Sequence, residues 1–92
     1  MTTATTSEQR MALVRALLQD LHPRVLTIED ESYLHAGHVG AQNGASHFRI
    51  KITAPGFMGL TSVAAHRLVY HRLRDLIPFP IHAVALETKL SE

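Results

Sequence analysis

The stretch His47-Phe48-Arg49-Ile50-Lys51-Ile52-Thr53 alternates between polar and apolar side chains along its length. Successive side chains of a strand point to opposite faces, so the pattern predicts a strand with Phe48, Ile50 and Ile52 turned toward a core. His47, Arg49 and Lys51 are then turned toward solvent. A sheet with one wet face needs cover on the other, and the flanking sequence supplies it. Upstream, Thr6 with Gln9 three residues later reads as a capping box, and Val14, Leu17, Leu18 and Leu21 recur at helical spacing. A first helix is expected over Ser7 to Leu21, closed by Pro23, which disfavours helical geometry at His22. Downstream, Pro55-Gly56 makes a turn and Thr61 or Ser62 can cap a second helix. There Ala65, Leu68, Val69, Arg72, Leu73 and Leu76 share one stripe, leaving Arg67, His71 and Arg74 on another.

Two further strands complete the order. Val25 to Asp30 is short, alternating and rich in branched residues. Ile81 to Thr88 follows Pro78 and Pro80, with His82, Val84 and Leu86 expected on one face and Ala83 and Ala85 on the other. Between the first two strands, residues 31–46 carry Gly37, Gly40, Asn43 and Gly44 without a sustained apolar period, which reads as a flexible loop. The order helix, strand, strand, helix, strand predicts an α+β fold: a three-stranded mixed sheet with both helices on one face. The first two strands should be antiparallel, and the last should join through the second helix in parallel pairing. A single domain over 1–92 is expected, with an ordered core at about 7–90.

Composition narrows the chemistry. The chain has 92 residues, a formal charge of +1, seven histidines and no cysteine. So small a domain favours a binding module over an enclosed active site. Without thiols the chain cannot form a disulfide framework or a four-cysteine zinc site, nor hold an iron–sulfur cluster by itself. Imidazole, however, binds transition metals and changes charge near neutral pH. His35, His38, His47 and His82 are the histidines placed to reach a metal or cluster. No apolar run is long enough to span a bilayer, and the segment before Ser7 lacks the basic flank and apolar stretch of a secretory signal, so a cytoplasmic setting is expected. There is no cysteine nucleophile, and Ser46-His47 and Ser62 with His66 lack a third orienting group, so no enzyme is expected. His35 and His38 alone make a weak zinc signal, since zinc usually takes four ligands. His47 and His66 read as hydrogen-bonding structural residues, and His22 and His71 as surface positions.

Four motifs in order decide the relationship: Ser46-His47-Phe48-Arg49, Phe57-x-Gly59-Leu60, His66-Arg67-Leu68-Val69-Tyr70 and Pro80-Ile81-His82-Ala83. With Glu31-Ser32 ahead of a histidine-bearing loop, the chain resembles the BolA-like proteins from Val25 to Leu86. The resemblance implies a class II KH-like fold and a non-enzymatic role beside a monothiol glutaredoxin in iron–sulfur cluster assembly, trafficking or iron sensing. It further implies a 2Fe-2S cluster shared with the glutaredoxin and glutathione, with none in the isolated chain. The family's histidine near the last strand matches His82 and its loop ligand matches His35, while His38 is a second loop candidate. The isolated chain is expected as a monomer or weak homodimer. A different class of reading takes Arg67, His71 and Arg74, with Arg49 and Lys51, as a DNA-binding surface of a transcriptional regulator. Against a phosphate clamp at Gly56-Phe57-Met58-Gly59 stand the two apolar residues between the glycines.

Overall fold

The computed structural model describes residues 6–32 and 45–91, so His35 and His38 lie outside the described residues. The first helix, α1, spans Ser7–Leu18 and continues as a 3-10 turn over Gln19–Leu21. Its start is the expected capping box: the Thr6 hydroxyl accepts from the Gln9 amide at 3.1 Å and the Gln9 side chain accepts from the Thr6 amide at 3.0 Å. Its end comes at His22, whose left-handed backbone (φ 56°) turns the chain toward β1, Val25–Asp30. The buried stripe of this segment is Arg10, Val14, Leu18 and Leu21, and Leu17 is 38% exposed. The apolar spacing had placed Leu17 inside. The 100° step per residue explains the difference, because 10, 14, 18 and 21 form a narrower line than the sequence stripe assumed.

The central strand β2, Ser46–Thr53, pairs antiparallel with β1 and parallel with β3, Ile81–Lys89, in the sheet order β1-β2-β3. Between β2 and β3 the chain crosses through a 3-10 turn at Pro55–Phe57 and helix α2, Ser62–Arg72. The α+β architecture with its mixed sheet is as the sequence predicts. Val14 and Leu18 of α1 and Ala65 and Val69 of α2 share one core with Ile28, Phe48, Ile50 and Ile52, which places both helices on one sheet face. Gly56 permits this closure, since a Cβ there would sit 3.1 Å from the Leu21 carbonyl oxygen. Thr61 caps α2 by accepting from the Ala64 amide at 3.1 Å. α2 stops at Arg72, short of the predicted span, and a separate 3-10 turn over Arg74–Leu76 follows. Arg72 does not line the core but pairs with Asp20 in the 3-10 turn that follows α1.

The strand β3 departs from simple alternation. Ser46 pairs with Ile81 but His47 pairs with Ala83, so His82 is one residue too many on the β3 side. The carbonyls agree: Pro80 accepts from Ser46 and Lys89 accepts from Ala54, an odd interval that regular two-residue alternation cannot produce. The extra residue is a β-bulge. It keeps Ile81 and Val84 both in the core while His82 and Ala83 are both exposed. The expectation that His82 shares a face with Val84 and Leu86 is thereby corrected. Beyond the bulge, the Lys89 bond fixes which carbonyls turn toward β2, and that of Val84 turns to the outer edge, where the Tyr70 hydroxyl of α2 donates to it.

Candidate functional site

The ends of β2 and β3 nearest the bulge bring two of the sequence-predicted histidines together. His47 and His82 have ring centroids 5.2 Å apart with planes tilted by 51°. Their settings differ. His82 is exposed, as a bulge tends to re-aim its side chain, whereas His47 is only 5% exposed. The sequence placed His47 on a wet face and did not foresee its burial, because alternation tells which way a side chain points and not what covers it. Backbone ties hold the His47 end of β2: its amide donates to the Ser32 hydroxyl oxygen at 3.0 Å, and its carbonyl accepts from the Glu31 amide at 2.7 Å. Ser32 in turn donates its amide to Asp30 at 2.8 Å.

A buried cation stands behind these strand ends. Arg10 of α1, 7% exposed, donates through one guanidinium nitrogen to the Ser46 hydroxyl oxygen at 3.0 Å and to the Pro80 carbonyl at 3.2 Å. Its guanidinium carbon lies 5.3 Å from the centre of the Phe79 ring, within cation–π range. Near it, Asp30 accepts from the Ser7 hydroxyl at 2.6 Å. Burial pushes the Asp30 carboxyl up, but hydrogen bonds from Ser32 and Ser7 and the charge of Arg10 together hold it below the usual carboxylate range. Sequence reasoning passed over Arg10. Its signal was its phase, four residues ahead of Val14 and eight ahead of Leu18.

On the open face of the sheet, Glu31, His47, Arg49, Ala83 and Ala85 border a depression of about 230 Å³. Ala83 and Ala85 leave its floor low. Glu31 pairs with Arg49 at 3.0 Å, and its hydrogen bond and charge push the Arg49 guanidinium further up. Lys51 pairs with Glu87 at 3.7 Å across the parallel register. Among the described residues no three His, Asp or Glu side chains gather where a metal ion could be held. His82 is the exposed imidazole that could meet a metal or cluster from outside.

The five basic residues proposed for nucleic acid do not converge. Arg67 and His71 are exposed on α2 and Arg74 on the 3-10 turn after it, all on the helical side, while Arg49 and Lys51 lie on the open sheet face, each in an ion pair. At the turn before α2, Phe57 is buried and Met58 is 73% exposed, so one apolar side chain, not two, occupies the tip between Gly56 and Gly59. His66 is half-buried, and His22 and His71 are exposed.

Comparison with known proteins agrees with the fold. A family model described as BolA-like protein matches residues 17–92. The chain is 43% identical over 86 residues to "Protein BOLA1, chloroplastic" of Arabidopsis thaliana, covering 89% of this chain and 54% of that protein. It is 34% identical over 84 residues to "SufE-like protein 1, chloroplastic/mitochondrial" of the same plant, covering 86% of this chain and 23% of the relative. This chain thus spans about half or less of the length of these relatives. Among solved structures, the BolA domain of SufE1 from Arabidopsis thaliana superposes with a TM-score of 0.76 at 37% identity, covering 87% of this chain and 90% of that one. BolA1 from Arabidopsis thaliana gives 0.72 at 39% identity, covering 97% and 92%.

Proposed function

This chain belongs to the BolA-like protein family, and from that premise we propose that it partners a monothiol glutaredoxin and co-ligates a 2Fe-2S cluster through His82. The observation that carries the reading is the position of His82: exposed on a bulge, at the sheet end where the segment bearing His35 and His38 leaves β1 and returns to β2. His35 is the proposed second imidazole, with His38 as the alternative. The cluster is cargo, its remaining ligands being a glutaredoxin cysteine and glutathione. A neutral imidazole in place of a thiolate raises the reduction potential of such a cluster and is released by protonation, which suits a group that is passed on.

This chain's own residues have three tasks in that reading. His82 offers a ring nitrogen to a docking partner without disturbing the core. His47, packed against it, restricts where the His82 ring can lie. Ala83 and Ala85 leave the neighbouring surface low, so a partner can approach without meeting bulky side chains. Mixing the protein with cluster-loaded glutaredoxin while following visible absorption and circular dichroism tests the reading. Spectra equal to the sum of the components would overturn the shared cluster, and a His82→Ala variant with unaltered mixed spectra would overturn the choice of ligand.

A further inference from the structure

Four segments meet at the end of the sheet that carries His82: the first turn of α1, the end of β1, and the starts of β2 and β3. One side chain bonds to two of them from a third. Arg10, on α1, donates to Ser46 directly before His47 and to the Pro80 carbonyl two residues before His82, stacks near Phe79, and bears its charge near Asp30. We infer that Arg10 is the positioning residue of the His47–His82 pair, fixing the offset between the starts of β2 and β3 that places the bulged imidazole.

The chemistry explains why an arginine stands there. One guanidinium nitrogen carries two hydrogens, and here it serves one acceptor at the start of β2 and one directly ahead of β3, so the separation of Ser46 from Pro80 is measured against a planar, fixed group. The Ser46 amide also donates to the Pro80 carbonyl at 2.8 Å, so that carbonyl is shared between the sheet ladder and Arg10. That junction is the last regular contact before the register shifts by one residue. Without the guanidinium, the bulge has less to hold its extra residue at position 82, and a bulge that relaxes swings its side chain. Charge-assisted bonds of this kind are about twice as strong as neutral ones, and the one to Ser46 is buried while the one to Pro80 is part-buried.

This inference deepens the proposed ligand role of His82, but its geometry is tested in the protein alone. Arg10→Met keeps a long apolar side chain in the buried site and removes both donors. In the ¹H–¹⁵N imidazole spectrum, the His47 and His82 resonances should move and the cross-ring Overhauser effect should fall several-fold, while β1–β2 amide cross-peaks stay in place. Arg10→Lys, which retains a charged donor, should restore part of the effect. With cluster-loaded glutaredoxin, affinity should fall by about 10- to 100-fold, the usual consequence of losing a group that orients a ligand. A folded Arg10→Met protein with wild-type imidazole shifts and cross-ring effect would overturn the inference. Should Arg10→Met not fold, Ser46→Ala removes one acceptor only, and unmoved His47 and His82 resonances in it would overturn the inference equally. Failure of the wild-type protein to accept a cluster would instead count against His82 as ligand, leaving the ring-pair measurement to decide the role of Arg10.

Discussion

Replacing His47 and His82 separately by alanine should give opposite phenotypes, although the rings touch. His47 is 5% exposed. Its truncation empties a filled site beside β3, for which a cost of about 2 kcal/mol is the reasonable scale. In a domain of this size about 1 kcal/mol moves Tm by roughly 4–8 °C, so His47→Ala should melt about 8–16 °C below wild type. His82 is exposed on the bulge, where substitutions usually stay within about 0.5 kcal/mol, so His82→Ala should melt within about 4 °C of wild type. The cluster-bridged complex should rank them the other way. Loss of an orienting group alone costs about 10- to 100-fold in affinity, so loss of the ligand itself should exceed about 100-fold. Calorimetry of the two variants, followed by circular dichroism titration against cluster-loaded glutaredoxin, reads both quantities on the same samples. Equal losses of Tm would refute the assignment of a structural role to one ring and a binding role to the other.

The remaining expectations concern the core, the acid limit and the basic helix. Ile50→Ala, fully buried on the central strand, should cost about 2–5 kcal/mol in urea unfolding, whereas Leu17→Ala, 38% exposed on α1, should cost well under half as much. Because the Asp30 carboxyl is held below its ordinary value, it contributes stability that is fully present above the unfolded-state value of 3.8 and is lost as pH falls through the lower folded one. Asp30→Asn should therefore flatten the acid limb of a stability–pH curve, and an unchanged limb would remove Asp30 from its cause. If α2 and the turn after it contact duplex DNA, Arg67 and Arg74 supply about two phosphate contacts, so the slope of log affinity against log salt should be near −2. A slope beyond about −4 would require more of the surface than that helix offers.

The fold was legible because its elements are locally consistent. The Phe48, Ile50 and Ile52 alternation, the Thr6–Gln9 box and the spacing of Ala65 and Val69 each act within a few residues, and all favour the same architecture. The site was legible only in part. His82 could be singled out from its motif, but the bulge that exposes it depends on pairing with a distant strand, Ile81 with Ser46 and then Ala83 with His47, and no local period encodes that register. Arg10 was hidden for a related reason: a charged residue on an apolar stripe reads as surface until partners far along the chain, Ser46 and Pro80, are seen to accept its hydrogens.

The bond from Tyr70 to the Val84 carbonyl has a consequence for how this domain meets other chains. An outermost strand with a free row of amides and carbonyls is a template on which a stranger's strand can be laid. In β3 that row is interrupted near its middle, since the Val84 oxygen is already engaged by a side chain from α2. A continuous added strand cannot form along β3 without displacing Tyr70. Tyr70→Phe would free the oxygen while keeping the ring, turning a guarded border into an adhesive one, with slow self-association at high concentration as the visible sign.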